Sequence, residues 1–381
     1  MSKPKTSAPR LYGIQGLRGL AVLMVFSVHL YEVERKYTHG PRVFGDWIHL
    51  SNFGLDLFFV ISGFVLTFLA FGHFAERSYL KSYAYNRVTR VYPTYLLYTL
   101  PLVPIYLFRP TLFNATDGHQ VDLFRTLLLL PDVTLPLIPV AWTLHHELVF
   151  YVLFGGVLLF SEKLLPRFIA LGFAGMAVLA TFGALIPRAE QSAFARIVLN
   201  PINFDFLMGM VLAWLIHKGE RRAALPCLLL GVAAAVGGYF GFYALTGADW
   251  IGNYHSHQLL GLPAGYHALY VFGLPAALVV YGIVALEMEK GWVFGRAIAW
   301  IGDASYSIYL THVMVIVLAG RIWGSVGVPG WPAHLAFLLG TTAIGLGLGT
   351  LAYHLFEKRM TGFFRQHDPA RRAKLRAAAQ A

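Results

Sequence analysis

Cysteine and charge are both scarce in this chain. It has one cysteine, Cys227, in 381 residues. That excludes an intramolecular disulfide and argues against a cysteine metal cage or a thiol nucleophile. Cys227 lies inside an apolar run, where it reads as filler. Charged side chains make up 13% of the chain, where soluble proteins carry about 25%. With 57% hydrophobic residues and a mean hydropathy of +0.59, too little polar side chain remains to cover a soluble surface. The bilayer must be the solvent for most of the chain. Also missing are an internal repeat and a linker between domains; the only biased tract is the basic, alanine-rich tail after Phe364. Lys3, Lys5 and Arg10 precede an apolar run as in a signal peptide, but no small-residue cleavage site follows. Arg18 and His29 lie inside that run, so an uncleaved first span is expected.

What the sequence does have is a series of about ten stretches long enough to span. They run over 13–33, 53–72, 91–108, 139–160, 166–186, 199–217, 224–245, 267–286, 298–319 and 334–356. The expected fold is therefore all-α and polytopic, with a short segment 1–12, one membrane domain 13–358 and a basic tail 359–381. Two connections are long: 109–138, whose apolar piece 123–130 is expected in the membrane interface, and 246–266. The net charge of +11 and a pI near 9.7 come from residues at the ends of apolar runs, which is a topology signal rather than a nucleic-acid stripe. With ten spans the termini share a side, and that side holds 21 of the 30 lysines and arginines against eight opposite. Both termini are expected in the cytoplasm.

Ionisable groups in hydrocarbon cost roughly 2.5–3.5 kcal/mol each, so those that persist are usually functional. The first span carries Arg18 and His29. At 100° per residue their 11-residue separation overshoots three turns by about 20°, so they share a face roughly 16 Å apart. Snorkelling to headgroups would account for Arg18 alone, but not for a histidine on its face. The fourth span has one deep carboxylate, Glu147, in Trp142-Thr143-Leu144-His145-His146-Glu147. Its depth, roughly 12 Å below the outer surface, comes within a turn or two of His29. A carboxylate on one ring nitrogen makes the other a better base; the bland reading is a structural pair joining two helices.

Other polar positions recur. Asp56 opens the second span and Ser62-Gly63 interrupts it; Gly63 suits close helix packing, and Ser62 could donate to a substrate. Arg87 and Arg90 precede Pro93 at i and i+3, a shared helix face suited to a phosphate ligand, although ordinary positive-inside charge also explains them. His312 is placed near the level of His29, where a backbone carbonyl alone could satisfy it. Asn203 and Asp205 open the sixth span, and His255 and His257 stand in an outer loop with no third ligand, so no metal site is read there.

In this order, the segments resemble acyltransferase family 3, the bacterial integral-membrane carbohydrate O-acyltransferases. The matching pieces are Arg18 with His29, residues 54–64, Arg87 with Arg90 before Pro93, and Trp142-Thr143-Leu144 with Glu147 and Phe150-Tyr151. Residues 203–209, 302–312 and Phe356-Glu357-Lys358 complete the set. The resemblance spans about 13–358. Each piece is weak alone; together in register they are specific. Thr143 stands where many members carry serine.

The resemblance implies an acyl-CoA donor, most often acetyl-CoA, transfer to a carbohydrate hydroxyl, no metal, and residence in the bacterial inner membrane. It also implies a form without the appended esterase-like domain of some members. His29 matches the essential first-span histidine, Arg18 its partner, Glu147 the acidic residue of the tryptophan motif, and Arg87 and Arg90 the pair that meets the donor's phosphates. The expected mechanism has His29, oriented by Glu147, as general base on the acceptor hydroxyl. Ser62, Asp56, Asn203, Tyr309 and His312 are the substrate or oxyanion candidates. Direct transfer and an acyl-enzyme intermediate both remain compatible with the residues. The rival class is a secondary transporter or a carrier for a lipid-linked sugar without acyl chemistry.

Overall fold

In lipid, every backbone donor and acceptor of an apolar run must be satisfied within the run, and the α-helix is the element that does this. A computed structural model of the protein describes residues 11–38, 42–187, 190–246, 268–327 and 330–369, and among these there is no strand. Nine helical stretches among the described residues are long and apolar enough to cross a bilayer, and a tenth, Asn203–His217, is apolar but shorter. The all-α polytopic architecture is thus as expected. The helices used below are α1 (Tyr12–Tyr37), α2 (Phe53–Ala70), α3 (Arg77–Thr99), α4 (Trp142–Val157) and α5 (Leu165–Leu185). They continue as α6 (Asn203–His217), α7 (Ala224–Thr246), α8 (Leu274–Lys290), α9 (Ser305–Val326) and α10 (Trp331–Ala352).

Three boundaries differ from the apolar runs. The third span begins at Arg77 rather than near 91, so Arg87 and Arg90 lie on a helix and not in a loop. Pro93 sits inside that helix; a proline removes one donor and tends to kink, but does not have to end a span. The ninth span is split, with a short helix Arg296–Asp303 before α9. The run at 123–130 is a six-residue helix, Leu123–Leu128, N-capped by Asp122, whose carboxylate accepts from the Arg125 N–H at 2.9 Å. His255, His257 and the end of the basic tail lie outside the described residues.

Two parallel helix pairs frame the interior. Along α2 and α6, Asp56 faces Asp205, and both are buried. Further along, a Cβ on Gly63 would stand 2.1 Å from the Phe206 carbonyl, and Phe71 stacks on His217 at the far end. Only glycine permits that backbone approach. Along α1 and the Arg296–Asp303 helix with α9, Gln15 meets Gly302, Arg18 meets Ser305, His29 meets His312 and Val33 meets Gly320. The end of the bundle at which α1 begins also receives the helix Lys358–Gln366. There Tyr85 donates to the Phe364 carbonyl at 3.2 Å, and Ser82 and Asn86 both donate to Asp368. We call this the basic end.

The outward surfaces are apolar. Val152 is 76% exposed and Leu171 67%, exposure that suits lipid contact and would be a liability in water. Many charges and hydroxyls of the spans point inward instead, and one group of them surrounds a cavity.

Candidate active site

Charge enters one interior cavity, of about 150 Å³, from three helices: Arg18 on α1, Arg87 and Arg90 on α3, Glu147 on α4, with serines and tyrosines supplied by α2, α4 and α9. Arg18 donates to Ser305 Oγ at 2.9 Å, at the first residue of α9. The Arg87 guanidinium lies over the Tyr83 and Tyr151 rings, 5.9 and 5.6 Å from their centroids, an arrangement that stabilises a cation where water is scarce. Its Nε is buried without a hydrogen-bond partner. Arg18 and Arg90 are within electrostatic reach of each other and of two carboxylates, Glu147 and Glu357.

Those carboxylates are themselves held. Glu147 accepts from Ser62 Oγ at 3.2 Å and from the Tyr151 hydroxyl one turn along α4. Glu357, 3% exposed, accepts from the Ser307 N–H at 3.1 Å and from Ser307 Oγ at 2.6 Å. It closes a π-helical turn, Tyr353–Glu357, that follows α10; the wider turn shifts the helical register by a residue and brings the side chain inward. Three arginines against two carboxylates leave a surplus of positive charge, so the cavity is built for an anion.

Away from the basic end the lining becomes neutral. Thr143 and Tyr309 share a hydrogen bond at 2.9 Å, and both hydroxyls also reach the Val140 carbonyl, at 3.0 and 2.9 Å. Just beyond, Tyr309's ring is 5.9 Å from that of His312. His312 is fully buried, and its Nε2 lies 3.4 Å from His29 Nδ1. His29 is half-buried, and its Nδ1 also lies 2.9 Å from the Val25 carbonyl. A carbonyl only accepts, so Nδ1 carries the proton and the Nε2 lone pair is left for another group. His29 is not among the cavity-lining residues; Tyr309 stands between the cavity and the histidine pair.

The expected bond between His29 and Glu147 is not made. Thr143 marks the level of Tyr309. Glu147 is four residues toward the basic end from Thr143, and His312 three residues the other way from Tyr309. By axial rise the carboxylate and the histidine pair are separated by about 10 Å. Glu147 belongs to the arginine cluster, and the partner of His29 is His312.

The acyltransferase domain profile (Acyl_transf_3) matches residues 11–350. The chain belongs to this acyltransferase family. Among similar proteins, the exopolysaccharide production protein ExoZ of Rhizobium meliloti is 29% identical over 331 residues, covering 84% of this chain and 92% of its own. The acyltransferase MdmB of Streptomyces mycarofaciens is 23% identical, covering 83% of this chain and 81% of its own. The peptidoglycan O-acetyltransferase OatA of Listeria monocytogenes is 22% identical over 80% of this chain, which spans about half of that relative (49%). No solved structure matches.

Within this acyltransferase, Arg18, Arg87, Arg90, Glu147, Ser62 and Tyr309 all line the cavity. His29 and His312 form the neighbouring pair. Asn203 and Asp56 are placed elsewhere. Asn203 accepts from His146 Nδ1 at 3.0 Å and donates to the Ile197 carbonyl at 2.7 Å, which uses both ends of its amide. Asp56 faces Asp205 between α2 and α6. Tyr151, Ser305 and Glu357 carry site geometry without having been candidates. For Glu357 the available signal was the Phe356-Glu357-Lys358 piece of the resemblance, which carried no role for the carboxylate.

Proposed function

We propose that this acyltransferase moves an acyl group, acetyl first among the candidates, from acyl-CoA to a hydroxyl of a cell-surface or exported carbohydrate. The single observation that carries the proposal is a surplus of arginine at one end of an interior cavity, next to a histidine whose Nδ1 is the nitrogen held by a carbonyl, leaving Nε2 without a hydrogen-bond partner among the described residues. Relatives whose names specify exopolysaccharide production and peptidoglycan O-acetylation support a glycan acceptor. The basic end faces the cytoplasm of a bacterial inner membrane, in line with the lysine and arginine bias.

In this mechanism Arg87 and Arg90 hold the donor's phosphates by charge-assisted hydrogen bonds, and Arg18, anchored on Ser305, extends the same field. The neutral wall at Thr143 and Tyr309 receives the thioester end. His29 Nε2 takes the proton of the acceptor hydroxyl as its oxygen bonds to the thioester carbonyl carbon. The tetrahedral intermediate then collapses: the carbon–sulfur bond breaks, the electron pair leaves on sulfur, and His29 returns the proton to give free CoA and the ester. Ser62 and Tyr309 are the hydroxyls at hand for the oxyanion; to serve, each must turn its proton from Glu147 or Val140 toward the substrate.

The test is turnover by the purified protein in liposomes with no ion gradient, given labelled acetyl-CoA and a glycan acceptor. Free CoA and labelled glycan in equal amounts are expected. Gradient-dependent movement of sugar with acetyl-CoA left intact would make the protein a transporter.

A further inference from the structure

We propose that His312 is the positioning residue for His29, supplying through a neutral ring the support that the sequence pattern had assigned to a carboxylate. The inference rests on His29 being the general base. It comes from the donors and acceptors around two rings. His312 Nδ1 lies 2.7 Å from the Tyr309 carbonyl and 3.2 Å from the Ile308 carbonyl, both on its own helix. Neither oxygen can donate, so Nδ1 carries the proton and Nε2 is an acceptor. That acceptor is 3.4 Å from His29 Nδ1, which the Val25 carbonyl has already fixed as a donor. The two tautomers therefore fit one another. One N–H of His29 is shared between a carbonyl and a ring nitrogen, and the rings meet edge-on at 78° with centroids 5.0 Å apart.

At 3.4 Å the bond between the neutral rings is long and weak. Its value appears during reaction. When His29 Nε2 takes a proton, positive charge spreads to Nδ1–H, and both acceptors then form charge-assisted bonds, roughly twice as strong as neutral ones. His312 is held to that task by the two carbonyls and by the Phe26 and Tyr309 rings, 5.7 and 5.9 Å away. A neutral orienter also suits the place: a carboxylate there would hold a charge in hydrocarbon whenever the site is empty, whereas imidazole has both nitrogens satisfied and no charge.

The test compares His29→Ala, His312→Leu and His312→Gln with the parent in liposomes, using acetyl-CoA and a methyl glucoside as the hydroxyl probe. For His312→Leu, kcat should fall about 10- to 100-fold, the size of one hydrogen bond to a charged group, with both KM values within about twofold. His312→Gln places an amide oxygen near the lost nitrogen and should recover most of that fall. Wild-type kcat in His312→Leu overturns the inference. So does a His312→Gln variant as slow as His312→Leu at equal thermal stability, since packing would then be the whole effect. If His312→Leu does not fold, His312→Met replaces it, and 15N spectra of histidine-labelled parent protein read the tautomer directly: Nδ1–H on His29 is expected, and Nε2–H overturns the inference. His29→Ala is the separate control. Full turnover there removes the base assignment itself, whereas a dead His29→Ala beside an unaltered His312→Leu removes only the inference.

Discussion

The two polar regions of this bundle are built on opposite principles. Near the basic end, Arg18, Arg87, Arg90, Glu147 and Glu357 gather charged side chains from four segments, with arginine in excess. About three turns of α1 further along, His29 and His312 are satisfied chiefly by carbonyls of their own helices and need no counter-ion. The first region has binding energy to offer an anion. The second has a lone pair to offer a proton. A separation of about 10 Å at Glu147, rising to roughly 16 Å at Arg18, lets one molecule reach across with its charged end in one region and its reacting end in the other.

His29→Ala should break the comparison most severely. Loss of a general base is expected to lower kcat by about 10²–10⁴ with the donor KM little changed, measured as CoA release by the folded, purified variant. An equal loss in donor affinity would mean the regions are not separate. Next in size, Arg87→Ala or Arg90→Ala should raise the donor KM by about 10- to 100-fold and leave the acceptor KM unchanged; parallel changes in both would reduce the pair to a topology signal.

Glu147→Gln sharpens the contrast. The amide oxygen still accepts from Ser62 and Tyr151, while a charge beside Arg18 and Arg90 is lost, so the change should register mainly in the donor KM, by about tenfold or less. A pure kcat loss matching that of His29→Ala would reconnect Glu147 to the base. The smallest effect is expected outside both regions. Tyr239→Phe removes a 2.6 Å bond to the Asp46 carbonyl and should lower stability by about 1 kcal/mol without altering turnover, read from a thermal melt and an activity assay of the same sample.

Much of the architecture is legible from hydropathy, because the bilayer imposes one length scale on every span. The same helical arithmetic placed His312 at the level of His29 and put Arg18 on the face of α1 that holds His29. It failed where finer depth was needed than hydropathy gives. Depth along an axis set Glu147 within a turn or two of His29, a tolerance too coarse for a bond: Thr143 beside Tyr309 puts the carboxylate about 10 Å toward the basic end. Hydropathy missed the first fourteen residues of α3 because they are polar, although the helix runs unbroken from Arg77 through Pro93, as lipid-embedded helices can. Glu357 stood in the sequence as part of the Phe356-Glu357-Lys358 piece without a role, and its burial on Ser307 at the end of a π-helical turn shows it facing inward.

A structure with a non-hydrolysable acyl-CoA analogue bound addresses the central claim most directly. The account predicts phosphate oxygens within hydrogen-bond reach of Arg87 and Arg90. It also predicts the acyl carbonyl carbon beside Tyr309, about 4–6 Å from His29 Nε2, which leaves room for one hydroxyl between them. Phosphates bound away from the arginines, or an acyl carbon lodged beside Glu147 with His29 out of range, would contradict it.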